Sequence, residues 1–138
     1  MKNKKYEFLE HTADIKFRVW GKNLNEIFEN AAYAISEVIS RGRKISAKKK
    51  KKIKIQAKGN EALLYNFIDE LLYLLDADGF LVSNVKVKLK ENNLEADIFG
   101  DSAENYDNLD QIKAATYSEM YIKQKKDKTW EAQVVVDV

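Results

Sequence analysis

The residues best equipped for chemistry lie at the two ends of this 138-residue chain. Near the start, His11-Thr12-Ala13-Asp14 holds the only histidine, and an acid follows it just before a run in which Ile15, Phe17 and Val19 are apolar and Lys16 and Arg18 basic. The other end reads Val134-Val135-Val136-Asp137-Val138, offering the Asp137 side chain and the terminal carboxylate of Val138. Carboxylate oxygens are hard donors, and three of them together suit calcium or magnesium. Asp14, Asp137 and Val138 form such a set provided the last strand pairs beside the one beginning at Ile15, a condition that spacing alone does not establish. Taken by itself, Asp14 reads better as a turn aspartate that accepts backbone N–H bonds. His11 and Asp14 could also act as the acid–base pair of a metal-dependent phosphoesterase, although no nucleophile or further ligand set accompanies them. A lone histidine more often orients a turn through its hydrogen bonds, and His11 is kept as a candidate for that supporting role.

Composition narrows the choices. Cysteine is absent, which excludes disulfides, thiolate metal sites and cysteine nucleophiles. The charged N-terminus runs into Tyr6-Glu7-Phe8-Leu9-Glu10 without a long apolar stretch, so neither a signal peptide nor a membrane span is expected, and the cytoplasm is the default location. Net charge is only +2, but it is unevenly distributed: residues 41–58 hold ten Lys or Arg and no acid, and residues 91–110 hold seven Asp or Glu and no base. The lysine run 48–52 could contact phosphates, which makes an RNA-binding module built on residues 41–58 an alternative reading. That segment contains no aromatic side chain to stack on a base. A solvated strand whose charge discourages edge-to-edge pairing is the simpler account.

Positioning these residues calls for an α+β fold in a single domain over residues 1–138, with about seven strands in a mixed or antiparallel sheet and two helices packed against it. Strands are predicted at residues 6–10, 15–20, 51–58, 112–122 and 130–138, with a hairpin between them in which Val85, Val87 and Leu89 return through Leu94, Ala96 and Ile98 across Asn92-Asn93. Asn23 and Glu26 resemble a capping box for a helix whose stripe includes Leu24, Ile27, Phe28, Ala31 and Ile35 and which stops at Arg41-Gly42. Asn60 is the predicted cap of a second helix, carrying Leu64, Phe67, Ile68, Leu71 and Leu72 and ending at Asp78-Gly79. The acidic segment 100–110 reads as a loop. Lys113 falls on the strand face opposite Ile112, Ala114 and Thr116, with Tyr117 beside it, as an ordinary solvent-facing lysine would.

Several phrases, taken in order, resemble the archease family: His11-Thr12-Ala13-Asp14, Trp20-Gly21, Phe28-Glu29-Asn30-Ala31-Ala32, Glu70-Leu71-Leu72-Tyr73-Leu74, Lys113-Ala114-Ala115-Thr116-Tyr117 and Val135-Val136-Asp137-Val138. None is specific alone, but their joint order covers essentially the whole chain. The resemblance implies a small α+β protein that is not itself a catalyst. It would assist an RtcB-type RNA-splicing ligase in transfer-RNA splicing, promoting ligase guanylylation and multiple turnover. It further implies a metal site, usually described with calcium, at Asp14, Asp137 and Val138, and a ligase-activating role for Lys113. Tyr117 is a candidate supporting residue beside it. The lysine-rich stretch before Ile53 and the acidic stretch before Ile112 depart from the family pattern and inherit no role from it.

Overall fold

In the computed structural model, which describes residues 4–9 and 14–138, the alternating segments pair into two antiparallel sheets rather than one. The first contains β1 (Tyr6–Leu9), β2 (Ile15–Gly21), β6 (Ala114–Ala115), β7 (Tyr121–Gln124) and β8 (Trp130–Asp137), in the order β1-β2-β8-β6 with β7 also paired to β8. The second contains β3 (Lys49–Gln56), β4 (Phe80–Lys90) and β5 (Asn93–Ser102), in the order β3-β5-β4. Helix α1 (Leu24–Ser40) links the first sheet to the second, α2 (Asn60–Asp78) links β3 to β4 within the second, and one cluster of buried residues joins both sheets and both helices. The rings of Phe28 on α1 and Phe67 on α2, both fully buried, meet edge to face with centroids 5.6 Å apart. No helix among the described residues is long and apolar enough to cross a membrane.

The first helix follows its sequence signals. Asn23 Oδ1 accepts the Glu26 N–H at 2.9 Å, while Glu26 Oε1 accepts the Lys22 N–H at 2.8 Å. Two donors at the helix start are thereby satisfied. Arg41 ends the helix with φ 60, in the left-handed region. The second helix departs from expectation: its cap is Gly59, at φ 92, and Asn60 is already helical. The chain leaving β3 turns sharply there, and only glycine reaches that backbone region without steric cost. The hairpin also turns one residue early, with the positive φ on Glu91 rather than at Asn92-Asn93.

Two further expectations are corrected. The acidic segment 100–110 is not simply a loop, because β5 continues through Ser102 into a 3-10 turn at Ala103–Asn105. Asp101 is buried and accepts from the Ser102 N–H at 2.8 Å, the Tyr106 hydroxyl at 2.9 Å and the Asn105 amide at 3.2 Å. Burial pushes its carboxyl up, but these three donors outweigh it and hold the group below its ordinary range. The strand predicted over 112–122 is broken into β6 and β7, giving eight strands. Period-two alternation fails there because Ile112 and Ala115 are both buried, and a turn with Glu119 at φ 55 intervenes.

Candidate functional site

Register decides what the two chain ends can do together. β2 runs antiparallel to β8, with Ile15 opposite Val136, Phe17 opposite Val134 and Val19 opposite Ala132, all turned toward the core. Lys16, Arg18 and Trp20 therefore share the other face with their partners Val135, Gln133 and Glu131. Asp14 directly precedes and Asp137 directly follows the Ile15–Val136 pair, the last of the β2–β8 register. The C-terminal strand does pair beside the strand beginning at Ile15, so the condition left open by the sequence is met. β6 completes the edge: Ala114 is opposite Asp137, and the Lys113 N–H donates to the Asp137 carbonyl at 2.7 Å.

Asp14 is half-buried, Asp137 is exposed and Val138 follows directly. Among the described residues, no three His, Cys, Asp or Glu side chains are grouped to hold a metal. The oxygen donors flanking the Ile15–Val136 pair are the Asp14 and Asp137 carboxylates, with the main-chain oxygens of Val138 next in sequence. All are hard oxygens, and they fit calcium or magnesium in kind rather than a softer metal. His11 lies outside the described residues.

Lys113 is exposed, as expected, but it stands over α2, where a surface depression includes Asp69, Glu70, Tyr73 and Asp76. The Ala115 N–H reaches the Asp69 carboxylate at 3.4 Å, tying β6 to that helix. Tyr117 is 55% exposed and stacks on Tyr65 of α2, with centroids 4.3 Å apart and planes 7° from parallel. Among the described residues it makes no hydrogen bond to Asp14 or Asp137. The structure thus ties the Lys113 backbone to Asp137 at the end of β8, next to the β2 strand that Asp14 precedes, and engages Tyr117 with the helix.

The outer face beyond this edge carries a polar network that sequence reasoning did not anticipate. Lys16 Nζ meets Glu119 at 2.9 Å, Arg18 Nε donates to Gln133 Oε1 at 3.0 Å, and Gln133 Nε2 donates to the Glu119 carbonyl at 2.8 Å. Glu131 accepts from Trp20 Nε1 at 3.0 Å and from the Tyr121 hydroxyl at 2.5 Å. Burial pushes the Glu131 carboxyl up, but the Tyr121 and Trp20 hydrogen bonds and the nearby Lys123 and Lys125 charges leave it below its ordinary range. The Tyr121 phenol moves oppositely, to about 12, through burial and its bond to the Glu131 carboxylate. The available signal was the run of polar residues at alternate positions in β2 and β8, legible only once their register was known.

A small two-sheet α+β domain whose second and last strands pair side by side, with acidic residues at the end of that pair, is the class that the fold and this edge define. The chain matches the model of the Archease protein family (MTH1598/TM1083) over residues 6–138. It is 37% identical to the protein archease of Pyrococcus furiosus over 98% of this chain and 99% of that one. To the protein archease of Methanosarcina barkeri it is 40% identical, over 98% of this chain and 97% of that one. The solution structure of Methanobacterium thermoautotrophicum protein 1598 superimposes with a TM-score of 0.78 at 30% identity, covering 97% of this chain and 99% of that one. The chain belongs to the archease family.

Proposed function

We propose that this protein is a non-catalytic activator of an RtcB-type RNA-splicing ligase, promoting ligase guanylylation and multiple turnover in transfer-RNA splicing. Family membership supports the general reading. The observation that supports the residue assignment is the pairing of β2 and β6 with β8, which fastens the Lys113 backbone to Asp137 and puts the strand that Asp14 precedes alongside. Asp14, Asp137 and the Val138 carboxylate would hold a divalent ion, with calcium the first choice. Such an ion supplies positive charge that offsets the mutual repulsion of the clustered carboxylates. The chain's own contribution is positional. Asp137 ends a paired strand and Asp14 directly precedes one, so both would present carboxylate oxygens from ordered backbone, and Lys113, just before β6, would offer a cation for contact with the ligase.

The experiment measures ligase guanylylation from GTP at limiting activator, comparing wild type with Asp14→Ala while circular dichroism monitors the fold. The expected result is loss of stimulation by a folded variant. Full stimulation by folded Asp14→Ala overturns the assignment of this edge.

A further inference from the structure

The second sheet turns one face to the core through Leu94, Ala96 and Ile98, and its outer face is exposed. That outer face draws on three separate parts of the sequence. β3 contributes Lys50, Lys52 and Lys54, and β4 contributes Lys86, Lys88 and Lys90, all exposed. Between the two rows, β5 presents Glu95, Asp97 and the half-buried ring of Phe99. The lysine run 48–52 is therefore split: Lys49 bonds the Ser102 hydroxyl at 2.6 Å and Lys51 the Asp78 carboxylate at 2.7 Å, away from this face.

Six lysines stand against two carboxylates on the sheet and that of Glu29, which accepts the Val87 N–H at 2.9 Å at the β4 edge, leaving an excess of three positive charges. The sheet carboxylates engage the β3 row only, and loosely: Lys50 and Lys52 approach Asp97 at 3.8 and 3.9 Å, and Lys54 approaches Glu95 at 3.5 Å. Among the described residues, Lys86, Lys88 and Lys90 make no ion pair. At the end of the central row, the Lys50 ammonium lies 5.8 Å from the Phe99 ring centroid, so an aromatic surface adjoins the cations. Residues 41–58 lack such a ring, but strand pairing brings one in from the acidic segment.

We infer that the outer face of the second sheet binds single-stranded RNA, with lysines of the two flanking strands contacting phosphates and Phe99 stacking on a base. Lysines on one strand repeat about every 6.8 Å, and the two rows stand about 10 Å apart. These rows give an extended phosphate chain a track, with the ring between them available to an unstacked base. An acidic protein surface is the less favoured occupant, because protein interface cores are depleted in lysine. The inference does not depend on the carboxylate edge, which belongs to the other sheet.

The test uses a labelled oligouridylate of about twelve nucleotides, a length within the usual range of single-strand sites. Fluorescence anisotropy with the full chain, without ligase, is followed across a salt series. Four engaged phosphates predict a log–log salt slope of about −3, or roughly a 50-fold loss of affinity between about 50 and 200 mM salt. The Lys86→Gln/Lys88→Gln/Lys90→Gln variant should bind at least tenfold more weakly with a shallower slope. Phe99→Leu, checked for folding, should weaken binding several-fold with its slope retained, and Lys125→Gln/Lys126→Gln on the distant β7–β8 turn should bind as wild type does. Absence of binding at low salt, or equal losses in the triple and control variants, overturns the inference. So does binding of polyglutamate but not RNA, which would assign the face to an acidic protein. Asp14→Ala should leave RNA binding intact, and failure of the RNA assay leaves ligase activation untouched.

Discussion

The Lys113 N–H donates to the Asp137 carbonyl at 2.7 Å, fastening β6 to the end of β8 one residue before the chain stops. Thr116 repeats the attachment further along, where both its N–H (3.2 Å) and its hydroxyl (2.7 Å) donate to the Val135 carbonyl. The strand bearing Asp137 is thus held on both sides, by β2 and by β6.

Because the attachment at Lys113 runs through the backbone, Lys113→Ala keeps it. Stability should change by no more than about 0.5 kcal/mol, as for an exposed side chain without a special role. Stimulation of ligase guanylylation should fall at least tenfold. Chemical denaturation and the guanylylation assay, run on one preparation, separate the two effects.

Calcium should raise the melting temperature of the wild-type protein, and a chelator should reverse the shift. A ligand that binds only the folded state at about one hundred times its Kd stabilises by about 2.7 kcal/mol. Asp14→Asn and Asp137→Asn should each abolish the shift, because a cluster this small cannot lose a carboxylate cheaply. Differential scanning fluorimetry with and without calcium reads the result directly, and an undiminished shift in both variants would place the ion elsewhere.

The Tyr121–Glu131 bond has a pH signature. The folded phenol titrates at about 12 against 10.0 for an ordinary tyrosine, so the folded state retains its proton where the unfolded state loses it. That contribution is fully present below pH 10 and disappears as the pH rises toward about 12. The stability advantage of wild type over Tyr121→Phe should therefore shrink across that window, while lysine titrations common to both cancel. Glu131, held below its ordinary range, acts in the opposite direction: its contribution is present above the unfolded carboxyl pKa and is lost on acidification. Glu131→Gln should cost about 2 kcal/mol near neutrality, typical of a hydrogen bond to a charged group, and much less in acid.

Gly100 pairs with Lys49 on one side and Val82 on the other, beside a register shift between Val82 and Asn84. A Cβ at Gly100 would run into the Leu81 carbonyl oxygen and crowd the Phe80 ring. Gly100→Ala should destabilise by roughly 2 kcal/mol, in the range for overpacking, as measured by urea denaturation.

Much of this arrangement is legible in local pattern. The helix ends at Arg41 and Gly79, the hairpin through Leu94 and the alternation of β2 all follow from short-range signals that need no partner strand. The break between β6 and β7 was not legible, because Ile112 and Ala115 are buried at a spacing that matches no strand period. Asp101 was equally hidden, since in the sequence it is one acid among seven, and only its three donors mark it as an anchor.

By itself the sequence determined the two helices, most of the strands, the archease resemblance and the residue types able to hold an oxygen-loving cation. These rest on periodicity, capping and motif order, which are properties of neighbours in the chain. Only the tertiary structure decided that the strand Asp14 precedes pairs with the strand Asp137 ends, that Lys113 stands over α2, and that lysines from β3 and β4 share a face with Phe99. Each depends on strand order and register, set by burial of one face against a common core. A one-residue slip would turn every side chain to the other side, and no local pattern records which strands become neighbours.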